Sequence, residues 1–230
     1  PSKGITFEKL HFQGVQNCIK ASLKFGVKRF ILMSANGAKQ NGTGYQNSKW
    51  KAEEELKISG LDWTIFRPSL IFGNPGGYGR SEFCTQLRDD MLSLPIPAPL
   101  FYSGILPIKA GSFCMSPIHV SNVAEFFIKA IIKEESIEKI YDLGGTQSLT
   151  WKEIIHQIAL ASGKLTWKIP APAFGIKILA TLLERFEWFP VTRDQITMLV
   201  EGNTVDKYYF NDFSIKAISF EAGNLSYLKN

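Results

Sequence analysis

Two short runs, Arg29-Phe-Ile-Leu-Met33 and Trp63-Thr-Ile-Phe-Arg67, are apolar almost throughout. Runs without polar alternation suit strands covered on both faces, which means parallel strands joined by crossover helices. The neighbouring segments supply those helices. Residues 7–25 place Phe7, Leu10, Val15, Cys18, Ile19 and Leu23 near helical spacing, and Gly26 stops the pattern. Residues 45–59 form a second helix that ends at Gly60, with Lys49/Glu53 and Lys51/Glu55 four apart for one-turn ion pairs. Helix, strand, helix, strand with short connections is the alternation of a doubly wound α/β sheet.

Beyond Gly73 the pattern loosens. Residues 73–79 and the Pro-rich 94–100 read as loops, with a helix over 80–92 between them. Strands are expected over 113–119 and 140–143, separated by a helix over 120–132. Thr150 with Glu153 three residues on opens a helix over 150–162 as a capping box. Residues 171–183, interrupted by Lys177, fall short of the ~18 apolar residues of a membrane span and read as a buried helix.

Composition excludes several functions. The net charge of +5 is scattered, with no basic run, so a nucleic-acid face is not expected. Cys18, Cys84 and Cys114 are far apart and odd in number, which argues against a disulfide framework or a zinc site and suits a reducing, cytoplasmic setting. Asp89 and Asp90 read as a solvated pair, and Phe186, Trp188 and Phe189 as packing or a ligand wall.

Tyr45-Gln-Asn-Ser-Lys49 carries the sharpest chemistry. Four residues apart on a helix, the phenol and the ammonium share a face. A tyrosine with pKa near ~10 is a poor acid or base at neutral pH, and a fixed positive charge nearby favours its phenolate. Such a pair can exchange a proton with a substrate hydroxyl while hydride moves. Spacing alone is weak evidence, and context decides. Tyr45 opens a helix that follows the strand ending at Ser34, and the next strand ends in Arg67-Pro68-Ser69. Both positions lie at the carboxyl ends of parallel strands, where open α/β sheets bind ligands.

The order Gly26-Val-Lys-Arg-Phe-Ile-Leu-Met-Ser34, Tyr45-xxx-Lys49, Glu53, Ser59-Gly-Leu-Asp-Trp-Thr-Ile-Phe-Arg67-Pro-Ser resembles the extended and atypical short-chain dehydrogenases. The blocks Ile118-His-Val-Ser-Asn-Val-Ala124 and Tyr141-Asp-Leu-Gly-Gly-Thr-Gln-Ser-Leu-Thr150 continue it. Thr192-Arg-Asp-Gln-Ile-Thr-Met-Leu199 with Gly202-Asn203 resembles the dehydrogenase-like accessory subunit of respiratory complex I and its bacterial relatives. The resemblance implies a Rossmann-type fold with a smaller, mostly helical carboxy-terminal lobe. It divides the chain into 1–73, the second half of a dinucleotide-binding domain, and 74–230, a substrate lobe from which 113–143 returns to the sheet.

The same resemblance implies NAD or NADP as cofactor. Lys49 would hold the nicotinamide ribose, Tyr45 would be the acid/base, and Ser34 would lie near the reacting oxygen. Pro68, Ser69, Leu70 and Ile71 would line the nicotinamide. Three departures stand out. No G-x-x-G-x-x-G follows a strand; Gly73, Gly76, Gly77 and Gly79 are wrongly spaced. Asn36 stands where the extended enzymes carry a hydroxyl, and His11 where many carry Asn. His11, His119 and His156 each read as local or surface residues. The first departure leads to the expectation of roughly 70–100 further residues ahead of Pro1 in the native protein and of weak dinucleotide binding by these 230 residues alone. The expected function is an oxidoreductase or epimerase acting on a small hydroxyl or carbonyl substrate. Its rivals are a non-catalytic NADPH-binding scaffold in a protein complex and a protein–protein module without cofactor. No metal and no membrane span are expected.

Overall fold

The computed structural model describes residues 4–76, 82–93, 97–183 and 192–229, so Phe186, Trp188 and Phe189 and residues 77–79 of the 73–79 loop lie outside the described residues. The chain divides into two units, residues 1–69, 122–143 and 207–216 in the first and residues 70–121, 144–206 and 217–230 in the second.

In the first unit a π-helical turn, Glu8–Gln13, leads into α1 (Gly14–Lys24). β1 (Arg29–Met33), α2 (Gly44–Lys57) and β2 (Asp62–Pro68) follow. The second unit contributes β3 (Ile71–Phe72), the short α3 (Phe83–Leu87), β4 (Ala98–Tyr102), β5 (Cys114–Met115) and β6 (Ile118–His119). The chain then returns to the first unit with α4 (Val120–Ile132) and β7 (Lys139–Leu143). β8 (Leu149–Thr150), α5 (Trp151–Ser162), β9 (Lys168–Pro172), α6 (Ala173–Leu183) and α7 (Arg193–Glu201) complete the second unit.

β1, β2 and β7 form a parallel sheet in the order β1-β2-β7, with Phe30 opposite Trp63 and Phe66 opposite Tyr141. Side chains alternate along a strand, so β2 buries both of its faces. Trp63 and Ile65 pack with Ile19 of α1 and Ala52 and Leu56 of α2. Phe66 turns the other way, into the rings of Phe126, Phe127, Tyr141 and Phe213. Helices therefore cover both faces, which is why the strands read as unbroken apolar runs. Arg29 is the exception in β1. It spans the strand ends by donating to the Asp62 and Ala130 carbonyls and to the Thr64 and Ser136 hydroxyls, each near 2.7 or 2.8 Å.

The second unit is built from helices and three strand pairs: β3 with β6 and β4 with β9, both parallel, and β5 with β8, antiparallel. Of the stretch 113–143, β7 joins the main sheet, while β5 and β6 pair within the second unit. Residues 94–100, expected as loop, contain the start of β4. Its partner β9 holds Pro170 and Pro172, and β4 itself holds Pro99. A two-stranded pair tolerates proline because its outer edge needs no N–H donor. The Thr150/Glu153 capping box forms as expected. Gly145 is required by close approach, since a Cβ there would lie 2.0 Å from the Pro117 carbonyl oxygen.

One expectation is corrected here. Of the apolar segment 171–183, the first two residues end β9 and the rest form α6, which is not a buried helix, for Phe174, Ile178, Leu179 and Leu182 face outward.

Candidate functional site

Ser34 follows β1, and its N–H donates to the Phe66 carbonyl at 2.7 Å; Asn36 N–H donates to the Pro68 carbonyl at 3.0 Å. These bonds carry the β1–β2 ladder past the strand ends. α2 begins with a capping box: the Gln46 N–H donates to Thr43 Oγ1 at 3.3 Å, and the Thr43 N–H donates to Gln46 Oε1 at 2.9 Å. This cap fixes the start of the helix and sets Tyr45 in its first turn.

One turn later, Lys49 Nζ donates to the Met33 carbonyl at 3.0 Å, and its ammonium stands 5.8 Å from the centroid of the Tyr45 ring. The pair is thus gathered at the carboxyl end of β1. Burial pushes the Tyr45 phenol above its ordinary 10.0. Burial lowers Lys49, and the negative charge of Glu53 pulls it back up.

Glu53, fully buried one turn beyond Lys49, is the hinge of a network the sequence did not expose. Ser34 Oγ donates to Glu53 Oε1. Arg67 Nε donates to the same oxygen at 2.8 Å, and its Nη2 donates to Oε2. Arg67 Nη1 lies 3.9 Å from Asp142 Oδ1. A buried carboxylate needs such pairing, and the hydrogen bond to Glu53, with its charge, raises Arg67 above its usual value. The expected one-turn ion pairs on α2 are replaced accordingly. Glu53 goes to Arg67, and Lys51 reaches across to Glu8 at 3.2 Å. The signal available in the sequence was a glutamate on the Lys49 face and an arginine ending an otherwise apolar strand.

Ser34 has one hydroxyl proton, and the Glu53 carboxylate takes it. Toward a ligand its oxygen therefore offers lone pairs only.

His11, a helix residue of the π-helical turn, belongs to the same corner. Its ring meets the Tyr45 ring edge-on at 5.3 Å between centroids and stacks on Phe7 at 5.8 Å; Phe7 touches Tyr45 at 5.7 Å. Burial, then the Lys49 charge, lowers the His11 imidazole below 6.5. The unfolded chain therefore binds this proton at a higher pH than the folded one. Folding stability is undiminished above pH 6.5 and is lost as pH falls from there toward the lowered folded value. His11→Gln is expected to flatten this acid slope, measured as denaturation midpoints between pH 7 and pH 5. A slope equal to the parent's would show that His119, also lowered by burial, carries it instead.

Pro68 and Ser69 end the first unit, where the Ser69 N–H donates to the Leu143 carbonyl at 2.7 Å. Leu70 and Ile71 belong to the second unit. The Leu70 carbonyl accepts from the Ile118 N–H at 2.8 Å and its side chain packs on that unit's core, while Ile71 pairs with Ile118. His119 and His156 belong to the second unit; His119 Nδ1 accepts from the Ser121 N–H at 3.1 Å, and His156 is exposed. Among the described residues no cluster of His, Cys, Asp or Glu suits a metal.

The sequence profile of an NAD(P)H-binding family matches residues 3–91, the stretch that holds Ser34, Tyr45, Lys49, Glu53 and Arg67. Residues 3–91 are thus similar to NAD(P)H-binding domains. The chain is 25% identical over 198 residues to the UDP-glucose 4-epimerase of Vibrio cholerae, covering 76% of this chain and 56% of that protein. It is 22% identical over 234 residues to the mitochondrial NADH-ubiquinone oxidoreductase 40 kDa subunit of Neurospora crassa, covering 100% of this chain and 58% of that one. The chain therefore spans little more than half the length of these curated relatives. A solved nucleoside-diphosphate-sugar epimerase of Staphylococcus aureus superposes with a TM-score of 0.67 at 17% identity, over 99% of this chain and 74% of that one. The fold is the Rossmann type of these epimerases. Among the described residues, no helix is long and apolar enough to cross a membrane.

Proposed function

We propose that the protein is an NAD(P)-dependent oxidoreductase or epimerase that acts on a hydroxyl or carbonyl substrate through Tyr45 and Lys49. The observation that carries this reading is the Lys49 ammonium, tied to the Met33 carbonyl and held 5.8 Å from the Tyr45 ring at the carboxyl end of β1. Lys49 has three N–H donors and spends one on Met33; two remain for the hydroxyls of a ribose, so the residues present fit the cofactor. A nicotinamide, when bound, accepts or donates hydride. Tyr45 then exchanges a proton with the substrate oxygen, with Lys49 favouring its phenolate against the effect of burial. Ser34 accepts a hydrogen bond from a substrate hydroxyl and does not donate one to a carbonyl.

A second reading, a dinucleotide-holding subunit without turnover, is favoured by one observation. Burial alone raises the Tyr45 phenol, and the hydroxyl nearest in the sequence pattern is committed to Glu53. The likeness to a respiratory-complex subunit along the whole chain points the same way. The two readings separate by label transfer from 4-deuterated NADH and NADPH to a panel of ketones and nucleotide-sugar acceptors. Deuterium in product supports the enzyme. Cofactor binding with no transfer to any acceptor supports the subunit.

A further inference from the structure

Helix α6 is inside out for a water-facing helix. Its fully buried residues are the small Ala173 and Ala180, and of its large ones Ile176 packs on the core while Phe174, Ile178, Leu179 and Leu182 point outward. Phe174, Ile178 and Leu182, at successive one-turn spacings, are 62%, 58% and 62% exposed. Just upstream in the same unit, Trp167 is 80% exposed and Leu165 almost wholly so, and the solvent-facing Ile169 of β9 joins them to the helix. The turn Pro107–Lys109, which packs on β9, adds Ile105, Leu106 and Ile108, all exposed. Soluble surfaces seldom show apolar area of this extent unless something covers it.

Charge names the occupant. From Gly163 to the end of α6 the chain contains no Asp or Glu, and Lys164 and Lys177 stand among these apolar residues, whereas Lys168, on the opposite face of β9 from Ile169, lines a cleft with Glu153. Aliphatic and aromatic side chains interleaved with lysine, and no acid, match the boundary of a bilayer with anionic headgroups. The other exposed apolar helix face is the opposite case. Ile128, Ile131 and Ile132 of α4 precede Glu134, Glu135 and Glu138, which an anionic surface repels. At eleven residues and about 1.5 Å per residue, α6 is too short to span a bilayer, so it lies in the interface.

We propose that the second unit docks on an anionic phospholipid bilayer, with Phe174, Ile178, Leu182 and Trp167 entering the headgroup boundary and Lys164 and Lys177 meeting the lipid phosphates. This surface is independent of the reaction assigned to Tyr45. The test is sedimentation of the full chain with vesicles of phosphatidylcholine alone or mixed with phosphatidylglycerol. Binding is expected to the mixed vesicles only and to weaken as salt rises, because the Debye length falls to about 3 Å at 1 M. Phe174→Ser with Ile178→Ser should lower the bound fraction about tenfold, and Lys164→Gln with Lys177→Gln should weaken it severalfold. Both pairs of side chains are solvent-facing or half-exposed, so circular dichroism should show folded variants. Should either pair fail to fold, brominated lipid provides the second measurement: it should quench a fluorescence component in the parent chain that Trp167→Phe removes. No vesicle binding, equal binding to neutral vesicles, or unchanged binding by the folded Phe174/Ile178 variant overturns the proposal. A concentration-dependent dimer abolished by that variant also overturns it, assigning the face to a second copy.

Discussion

Tyr45→Phe is expected to lower kcat on any substrate the protein turns over by about 10²–10⁴, with little change in cofactor affinity. The substitution removes one oxygen and keeps the ring, so the contacts with Phe7 and His11 survive. What is lost is the path for the substrate proton. The buried phenol starts above its usual pKa, so Lys49 must favour the phenolate for the step to run near neutral pH. Lys49→Met should therefore also move the acid limb of the pH–rate profile upward, which the Phe variant cannot do. Equal turnover by Tyr45→Phe and the parent would remove Tyr45 from the reaction.

The second large effect is on stability. Glu53→Gln keeps the shape of the side chain and removes its charge, leaving Arg67 with Asp142 at 3.9 Å as its remaining acid partner in this network. Breaking a buried ion pair from one side typically costs about 3–5 kcal/mol. The Arg67 side chain is 22% exposed, so about 3 kcal/mol is the expected loss, read from urea denaturation midpoints. The double replacement Glu53→Leu with Arg67→Leu should recover most of it, because neither charge is then left alone. A Glu53→Gln chain as stable as the parent would mean that water, not Glu53, satisfies Arg67. Loss of Glu53 also deprives Lys49 of the charge that offsets its burial, so stability and the Tyr45/Lys49 pair are coupled through one carboxylate.

Much of the first unit was legible because its signals are local. The apolar runs of β1 and β2, the glycine stops at Gly26 and Gly60 and the Thr150/Glu153 cap each act within a few residues. β4 and β9 were not legible, since their pairing joins segments about seventy residues apart and both contain proline. The Tyr45/Lys49 pair was visible as spacing. The Ser34–Glu53–Arg67 network was visible only as two charged residues at positions that later proved buried, and its partners depend on how the ends of β1 and β2 meet α2. α6 shows the limit of periodicity, which reveals that a helix has an apolar face but not whether the protein covers it. His11 was read as a local residue because nothing in sequence brings it to Tyr45. The π-helical turn and the α2 cap do so in space.

The central claim, that the nicotinamide half of the dinucleotide is held by the Lys49 corner, is tested most directly by calorimetric titration of NADPH and NADH into this chain and its Lys49→Met variant. These residues contain no G-x-x-G-x-x-G after a strand to cradle the pyrophosphate on backbone N–H groups. Few hydrogen bonds remain, each contributing about 0.5–1.5 kcal/mol net. The account predicts millimolar binding, about −4 kcal/mol, that Lys49→Met weakens further. Micromolar one-to-one binding unchanged by Lys49→Met would contradict it and place the cofactor elsewhere.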